Sequence, residues 1–470
     1  MRTATVVATL DGPKSAGDVA VLSRIANWLE VRIERDADWL RAHFDGPLLY
    51  RGRRPREAAR SFNFVALQES DLAEGIPPEQ RVITWRGCAS SVRELRDRLQ
   101  TLTQRQAHLY VLELTPRTVA EQLLPLELLR EIKRDDVVAY CGGVKGVWTR
   151  PLAARLGAPF IFGRAGDDYG DDGTPPVARL ADDFCLPELW PVRELFAMAG
   201  DPVTHSLSPR IHNNGYRAVG RDTLYVPFQV GDFAEFWNDF VETGRLDRLG
   251  FPLRGISVVS PYKAVAVAAA VRRSEMVERA RSTNLLRRDD DGWYADTTDA
   301  DGVMLTLRDH SVTCRNRRAA VIGCGGSGRA MAAALSDAGA DVTLVNRGFE
   351  RGSLAVHLLR MPFMPLSSFS AEPYSIFVNA TPVGRDSDDM PFAIDSLPRD
   401  AVIVDLTYRH GATSLIRRTR GPGRITIDGM EMLLAQAARQ FNLMTGEELP
   451  EGLARQAVGL SSERFAAEQR

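Results

Sequence analysis

The chain has 470 residues with a formal net charge of −2, 44% hydrophobic and 26% charged residues. Such a length accommodates roughly two to four domains, each burying its own core, and the composition is that of an ordinary globular protein. The near-neutral charge points away from nucleic acid and acidic membrane surfaces, and no run approaches the ~18 apolar residues of a membrane helix. Five cysteines (Cys88, Cys141, Cys185, Cys314 and Cys324) are odd in number and lack metal-ligand spacing, so no metal site is expected. The apolar run at the N-terminus is too short for a secretory leader, which predicts reduced thiols and a cytoplasmic protein.

Eight short β-type runs open the chain, at 3–10, 28–34, 47–53, 62–67, 81–87, 109–114, 137–142 and 159–164, mostly separated by helical or polar stretches. Eight alternating units predict an α/β fold with a (β/α)8-type barrel over residues 1–192, small against the about 250 residues typical of that fold. A barrel site lies where the strands end, and there the chain carries Glu30, Arg32, Arg53 and Arg86. Converging arginines read either as an anion site or as solvated strand ends. A loop rich in Asp, Gly and Pro (167–176) and the stretch Cys185-Leu-Pro-Glu-Leu-Trp-Pro191 mark the break to a new region that begins with the strand-like Leu195–Ala199.

Asp201-Pro-Val-Thr-His-Ser-Leu-Ser-Pro-Arg-Ile-His-Asn213 follows. Ser206 and Ser208 alternate, so in an extended stretch both hydroxyls face one way, and Pro209 suits the first turn of a helix. The pair reads as a carboxylate clamp or as ordinary helix capping. Next, Lys263 ends Gly255-Ile-Ser-Val-Val-Ser-Pro-Tyr-Lys263, and Asp299 and Asp301 lie in an acidic turn before the apolar run 318–322.

After that run comes Gly323-Cys-Gly-Gly-Ser-Gly328, a G-x-G-x-x-G pattern between a strand and a helix, which sets bare amides against a pyrophosphate. The next strand, Asp341–Val345, ends at Asn346-Arg347, with Arg351 one turn on, where NAD-binding chains place a carboxylate for the free ribose hydroxyl. A guanidinium there favours a 2′-phosphate, so NADP is the expected cofactor. Later strands are expected at 375–378 and 401–404, and a helical pair closes the chain.

The order Asp-Pro-x-x-His-Ser-Leu-Ser-Pro-x-x-His-Asn213, Ser-Pro-Tyr-Lys263, Thr-Asn-Leu285, Thr-Thr-Asp-x-x-Gly302, the glycine loop, Asn346-Arg347, Asn379-Ala-Thr381, Asp405-Leu-Thr-Tyr408 and Asp428-Gly-Met-Glu-Met-Leu-Leu-Ala-Gln436 resembles shikimate dehydrogenase over about residues 195–450. The resemblance implies reversible, NADP-dependent reduction of 3-dehydroshikimate. It assigns Ser206 and Ser208 to the substrate carboxylate, Lys263 and Asp299 to the catalytic pair, Asn284 and Gln436 to ring hydroxyls, and Tyr408 to the pocket wall. Gly323, Gly325, Gly326, Gly328, Asn346, Arg347, Arg351, Asn379 and Thr381 are assigned to the cofactor. It also implies a substrate lobe of residues 193–300 with 417–470 and a Rossmann-type domain of 301–416. Hydride transfer to a ketone leaves an alkoxide that needs a proton and nearby positive charge, which a lysine–carboxylate pair supplies.

Valine at 259 departs from the family pattern, where a threonine hydroxyl faces the ring. Losing a hydroxyl partner shifts substrate choice, which opens quinate or another cyclic hydroxy acid as an alternative substrate. Ser260 would face the other way in a strand.

The N-terminal half is similar to type I 3-dehydroquinate dehydratase, through Glu30-Val-Arg32, Pro47-Leu-Leu-Tyr-Arg-Gly-Arg53 and Gly146-Val-Trp-Thr-Arg150. The family's Schiff-base lysine belongs on the sixth strand, which reads Leu109-Tyr-Val-Leu-Glu-Leu114, and Arg86 stands where its histidine would fall. The late loop carries Pro175-Pro-Val177 in place of a glutamine. Without an amine nucleophile the imine route is closed, so a dehydratase relic is expected, with Glu30, Arg32, Arg53 and Arg150 retained as a candidate anion site. A non-catalytic sensor built from such domains is the competing reading of another class.

Overall fold

The computed structural model describes residues 2–12, 14–33, 36–409 and 411–460, so the last ten residues of the expected 417–470 segment lie outside it. The chain divides into two compact units, Met1–Leu253 with Ala457–Leu460, and Arg254–Gln456.

The first unit opens with eight parallel strands: β1 (Thr5–Leu10), β2 (Trp28–Val31), β3 (Leu48–Tyr50), β4 (Phe64–Gln68), β5 (Arg81–Gly87), β6 (Leu109–Leu114), β7 (Val137–Cys141) and β8 (Phe160–Arg164). β1 to β7 pair in sequence and β8 returns to β1, so the ring is nearly closed. Among the described residues no ladder joins β7 to β8. Arg150 crosses that seam, its guanidinium 4.0 Å from the centre of the Tyr140 ring on β7 and its Nη1 donating to the Phe162 carbonyl on β8 at 3.1 Å. An aromatic plug fills the end where the strands begin, with Trp28 stacked on Phe64 at 4.1 Å and Phe160 edge-on at 4.7 Å.

The same unit continues with a helix α1 (Leu124–Ile132), the barrel's last helix α2 (Val177–Phe184), strand β9 (Glu194–Gly200), helix α3 (Ser208–Ala218) and strand β10 (Thr223–Gln229), which runs parallel to β9. Arg245 binds this region to the barrel. Its fork meets both oxygens of Glu127 on α1 at 2.7 and 2.7 Å and the Ala120 carbonyl at 2.9 Å. Such bidentate, charge-assisted geometry is among the stronger polar contacts proteins make. Trp148 packs on Phe228 and Phe240 at 5.1 and 5.5 Å, so the barrel and the segment after it share an apolar core.

The second unit carries β11 (Leu253–Val258, its first residue counted with the first unit), then β12 (Leu285–Asp289) and β13 (Gly292–Asp296), each antiparallel to the one before. A parallel sheet follows, built from β14 (Arg318–Ile322), β15 (Asp341–Asn346), β16 (Phe363–Pro365), β17 (Ile376–Asn379), β18 (Val402–Asp405) and β19 (Ile425–Ile427). Its spatial order, β16-β15-β14-β17-β18-β19, is the doubly wound dinucleotide-binding arrangement. Both faces are covered, Ala319 and Val321 packing to one side and Ala320 and Ile322 to the other, which is why these strands read as unbroken apolar runs. Because β19 completes the sheet, the nucleotide fold runs past the boundary expected at 416.

Helices α4 (Asp299–Asp309), α5 (Gly326–Asp337), α6 (Phe349–Leu359) and α7 (Gly429–Thr445) are the longest of this unit. α4 and α7 pack closely at Gly302, where a Cβ would lie 2.7 Å from Gln436 Cγ. His310 at the end of α4 meets Glu431 on α7 at 2.7 Å, and that hydrogen bond raises the imidazole pKa against the opposing effect of burial. The folded pKa therefore exceeds the unfolded one of about 6.5, so the bridge contributes fully below that pH and its contribution is lost as pH rises through the folded value. Thermal melts of wild type and His310→Gln should differ most near about pH 6 and converge in alkaline buffer. A gap that widened with pH would contradict this.

Candidate active site

Asp299 opens α4, with its side chain 1% exposed. Lys263 donates to both carboxylate oxygens, at 2.9 and 2.7 Å, and Asn284 and Gln436 donate to Oδ1 at 3.0 and 2.9 Å. A buried carboxylate is tolerated only with such partners, and the N-terminus of α4 adds its own partial positive charge. Each donor is itself held. Lys263 follows the turn after β11, where its carbonyl accepts from the Thr283 amide at 2.8 Å. Asn284 accepts from the Thr298 amide at 2.8 Å, and Gln436 projects from α7. Lys263 also donates to Ser327 Oγ at 2.8 Å, tying the ammonium to the glycine loop. The lysine side chain is 18% exposed, so the pair presents its cationic end outward. The arrangement can stabilise a developing oxyanion and hold a proton beside it.

Ser257 faces inward from β11 and donates to Gln440 Oε1 at 2.9 Å. β11 stops at Val258, so strand alternation does not govern Val259 and Ser260. They lie in a turn closed by the Tyr262 amide on the Val259 carbonyl at 3.0 Å, with Ser260 exposed.

The glycine loop joins β14 to α5. Gly323 has φ of +107°, and a Cβ at Gly328 would lie 1.8 Å from its carbonyl oxygen. A Cβ at Gly326 would meet Ser282 Oγ at 2.1 Å, whereas one at Gly325, the residue capping α5, would meet nothing within 4 Å. Tight packing behind the loop and open space before it fit a pyrophosphate on the helix N-terminus. Asn346 braces the loop, accepting from the Cys324 amide at 3.2 Å and donating to the Gly348 carbonyl at 2.7 Å. Arg347 and Arg351 are exposed and make no ion pair with the described residues, which fits cations reserved for a phosphate. Asn379 is fully buried, donating to Asp405 at 2.9 Å and accepting from the Thr381 hydroxyl at 2.7 Å. It fixes the turn that sets Ala380 and the half-buried Thr381 against Gly323. Tyr408 is half-buried after β18, and its backbone lies so close to Gly429 that a Cβ there would be 2.7 Å from its nitrogen.

Ser206 and Ser208 belong to the first unit, and their stretch is not extended. Leu207 between them is helical, with φ −92° and ψ −5°. Leu207 is the N-cap and no side chain caps α3; Ser206 Oγ instead accepts from the amide of Ser208, the first helical residue, at 3.2 Å, which leaves its own O–H to donate. Ser208 is the first residue of α3.

The barrel mouth encloses a cavity of about 580 Å³. On three strands residues two apart line it, Thr84 and Arg86 on β5 (with Trp85 between them), Val111 and Glu113 on β6, and Phe162 and Arg164 on β8, in keeping with strand periodicity. Of the expected anion site, Glu30, Arg32 and Arg150 line the cavity. Arg53 does not, because β3 ends at Tyr50 and the chain turns. Arg51 takes the place, its Nε 2.8 Å from Glu30. Arg86 pairs with Glu113 at 2.8 Å and Arg164 with Asp11 at 2.8 Å, so acids neutralise three of the arginines. Among the described residues the lining contains no lysine or histidine. Ser327, Arg51 and Glu113 were not singled out by sequence, since each acquires its role from a partner distant in the chain. Among the described residues no group of three or more His, Cys, Asp or Glu could hold a metal, and no helix is long and apolar enough to cross a membrane.

Residues 198–286 match the shikimate dehydrogenase substrate binding domain, and residues 429–458 match the shikimate 5′-dehydrogenase C-terminal domain. A shikimate dehydrogenase (NADP(+)) of Halobacterium salinarum is 32% identical over 274 residues, covering 56% of this chain and 98% of that protein. The chloroplastic bifunctional 3-dehydroquinate dehydratase/shikimate dehydrogenase of Arabidopsis thaliana is 26% identical over 332 residues, covering 66% of this chain and 54% of that protein. Among solved structures, the Thermus thermophilus shikimate 5-dehydrogenase in complex with NADP(H) and shikimate superposes with a TM-score of 0.51 at 28% identity, covering 56% of this chain and 98% of that one. With a buried Asp299 gathering Lys263, Asn284 and Gln436 beside a dinucleotide loop, the chain belongs to the shikimate dehydrogenase family.

Proposed function

We propose that this protein is an NADP-dependent oxidoreductase that interconverts 3-dehydroshikimate and shikimate in the route to aromatic amino acids. The observation that carries the reading is the Lys263–Asp299 pair, held by Asn284 and Gln436 and tied through Ser327 to the glycine loop. NADPH, held by the loop glycines with Arg347 and Arg351 on its 2′-phosphate, supplies the hydride when bound. Lys263 stabilises the oxygen that gains charge, and the pair holds the proton that oxygen takes up. In the reverse direction the pair receives the hydroxyl proton. Asn284 and Gln436 orient ring hydroxyls, Tyr408 lines the pocket, and Ser206 and Ser208 donate to the substrate carboxylate. A sensor that had lost turnover has no use for an ammonium drawn against a buried carboxylate beside this loop.

The same reading divides the chain into a barrel (1–192), a substrate lobe (193–300 with the C-terminal helices) and a nucleotide domain from 301 that ends its sheet at Ile427. All five cysteines are unpaired, which supports a cytoplasmic location.

Lys263→Ala and Asp299→Asn should each lower kcat ~10²-fold or more, the scale of positioned acid–base groups. Fluorescence titration should show NADPH binding retained in both, and near-wild-type turnover in either would remove the pair from the chemistry. For the cofactor, Arg347→Gln should raise the Michaelis constant for NADP roughly ten- to a hundredfold with little change for NAD, as loss of one charge-assisted bond predicts. Equal use of the two cofactors by wild type would contradict that assignment.

The barrel, on this reading, has lost dehydratase chemistry. Its cavity lining offers no amine for an imine, and Arg86 stays protonated at ordinary pH and so cannot act as a base. Borohydride treatment of the full chain with 3-dehydroquinate should leave no adduct on Lys14, Lys133 or Lys145. A covalent adduct accompanied by dehydroshikimate formation would overturn this.

A further inference from the structure

Two guanidiniums and a buried carboxylate join the barrel's last helix to the stretch that carries Ser206 and Ser208. Arg179 on α2 donates from Nη2 to the Ser206 carbonyl at 2.9 Å. One turn on, Asp183 is 4% exposed, forms an ion pair with Arg179 Nη2 at 3.0 Å and accepts from Arg210 Nε at 3.1 Å. Arg210 lies in the first turn of α3, directly after the two serines, and its other arm reaches Asp182 at 3.0 Å. Asn213, also on α3, donates to the Asp183 carbonyl at 2.7 Å and to the Tyr225 carbonyl at 2.9 Å. The start of α3 is therefore held through its side chains, and the peptide just before it through its carbonyl, by the same barrel helix.

Exposed ion pairs contribute little. This one differs, since the shared carboxylate is buried and each guanidinium serves two acceptors, so removing one partner leaves an uncompensated charge or a displaced backbone. Ser206 Oγ already accepts from the Ser208 amide. The direction in which its O–H donates therefore depends on the peptide plane between residues 206 and 207, and Arg179 holds the oxygen of that plane.

We propose that Arg179 is a positioning residue for substrate binding: the barrel, through α2, sets the orientation of the Ser206 and Ser208 hydroxyls. This rests on the reading of the two serines as the carboxylate site. The barrel is then a working part of the dehydrogenase rather than a passenger. Because the carboxylate does not react, weakening its grip removes binding shared by ground and transition states, which raises KM and leaves kcat alone.

Steady-state kinetics on the full chain test the proposal. Arg179→Met, which keeps the aliphatic stem, should raise KM for shikimate about tenfold, the lower end for a hydrogen bond to a charged group. Its kcat and its KM for NADP should stay at wild-type level. Arg179 meets both partners through one nitrogen, Nη2, at the tip of its side chain, and Arg179→Lys keeps the charge on a shorter arm, so its KM should fall between the two, roughly threefold above wild type. Ser206→Ala tests the underlying reading separately. If Ser206→Ala leaves KM for shikimate unchanged, the carboxylate assignment fails whatever Arg179 does. If Ser206→Ala raises KM and Arg179→Met does not, the positioning role alone fails. A parallel fall in kcat and in affinity for both substrates in Arg179→Met would show a merely structural role. Should that variant not fold, a wild-type KM in Arg179→Lys overturns the proposal by itself.

Discussion

The second unit is organised around one constraint, the burial of the Asp299 carboxylate. An ionised carboxyl with 1% of its side chain exposed is tolerable only where donors surround it. Four separate pieces of chain meet that demand: the turn after β11 through Lys263, the approach to β12 through Asn284, the N-terminus of α4, and α7 through Gln436. Gly302 permits the last of these, because a side chain there would strike Gln436. Ser327 extends the set to the glycine loop. The charge that makes the site useful is thus also what specifies how these segments pack.

The barrel shows the opposite history of charge. Its mouth has many arginines, but Glu30, Glu113 and Asp11 answer three of them, and among the described residues the lining has no lysine amine. The barrel also has structural contacts. Arg245 on Glu127, the Trp148 aromatic cluster and the Arg179–Asp183–Arg210 chain all join the barrel to the segment that follows it. These contacts make the geometry of the following segment depend on the barrel, whatever the barrel itself catalyses.

Much of this was legible in the sequence because it rests on local periodicity or on backbone requirements. The eight barrel strands and the apolar strands β14, β15, β17 and β18 emerge from runs of three or more buried residues, and the glycine loop from Gly323, Gly326 and Gly328, where a Cβ has no room. What failed did so where non-local contacts decide. β19 is three residues long behind Gly421-Pro-Gly423, and only its neighbour β18 makes it a strand. Arg53 and Arg51 look equivalent two residues apart in an extended run, yet the strand stops at Tyr50 and only Arg51 reaches Glu30. Alternation implies an extended serine pair, whereas Leu207 is helical and the Ser206 hydroxyl accepts from the Ser208 amide in a turn. Ser327 and Arg179 carry no motif of their own, since each matters through a partner many residues away.

The central claim is that the Lys263–Asp299 pair serves hydride chemistry on a cyclic keto acid. Its most direct test is the absorbance of NADPH at fixed protein concentration on addition of 3-dehydroshikimate. The account predicts oxidation matched mole for mole by shikimate formed, reversed by shikimate with NADP. Tight binding of both ligands without any consumption of NADPH would contradict it.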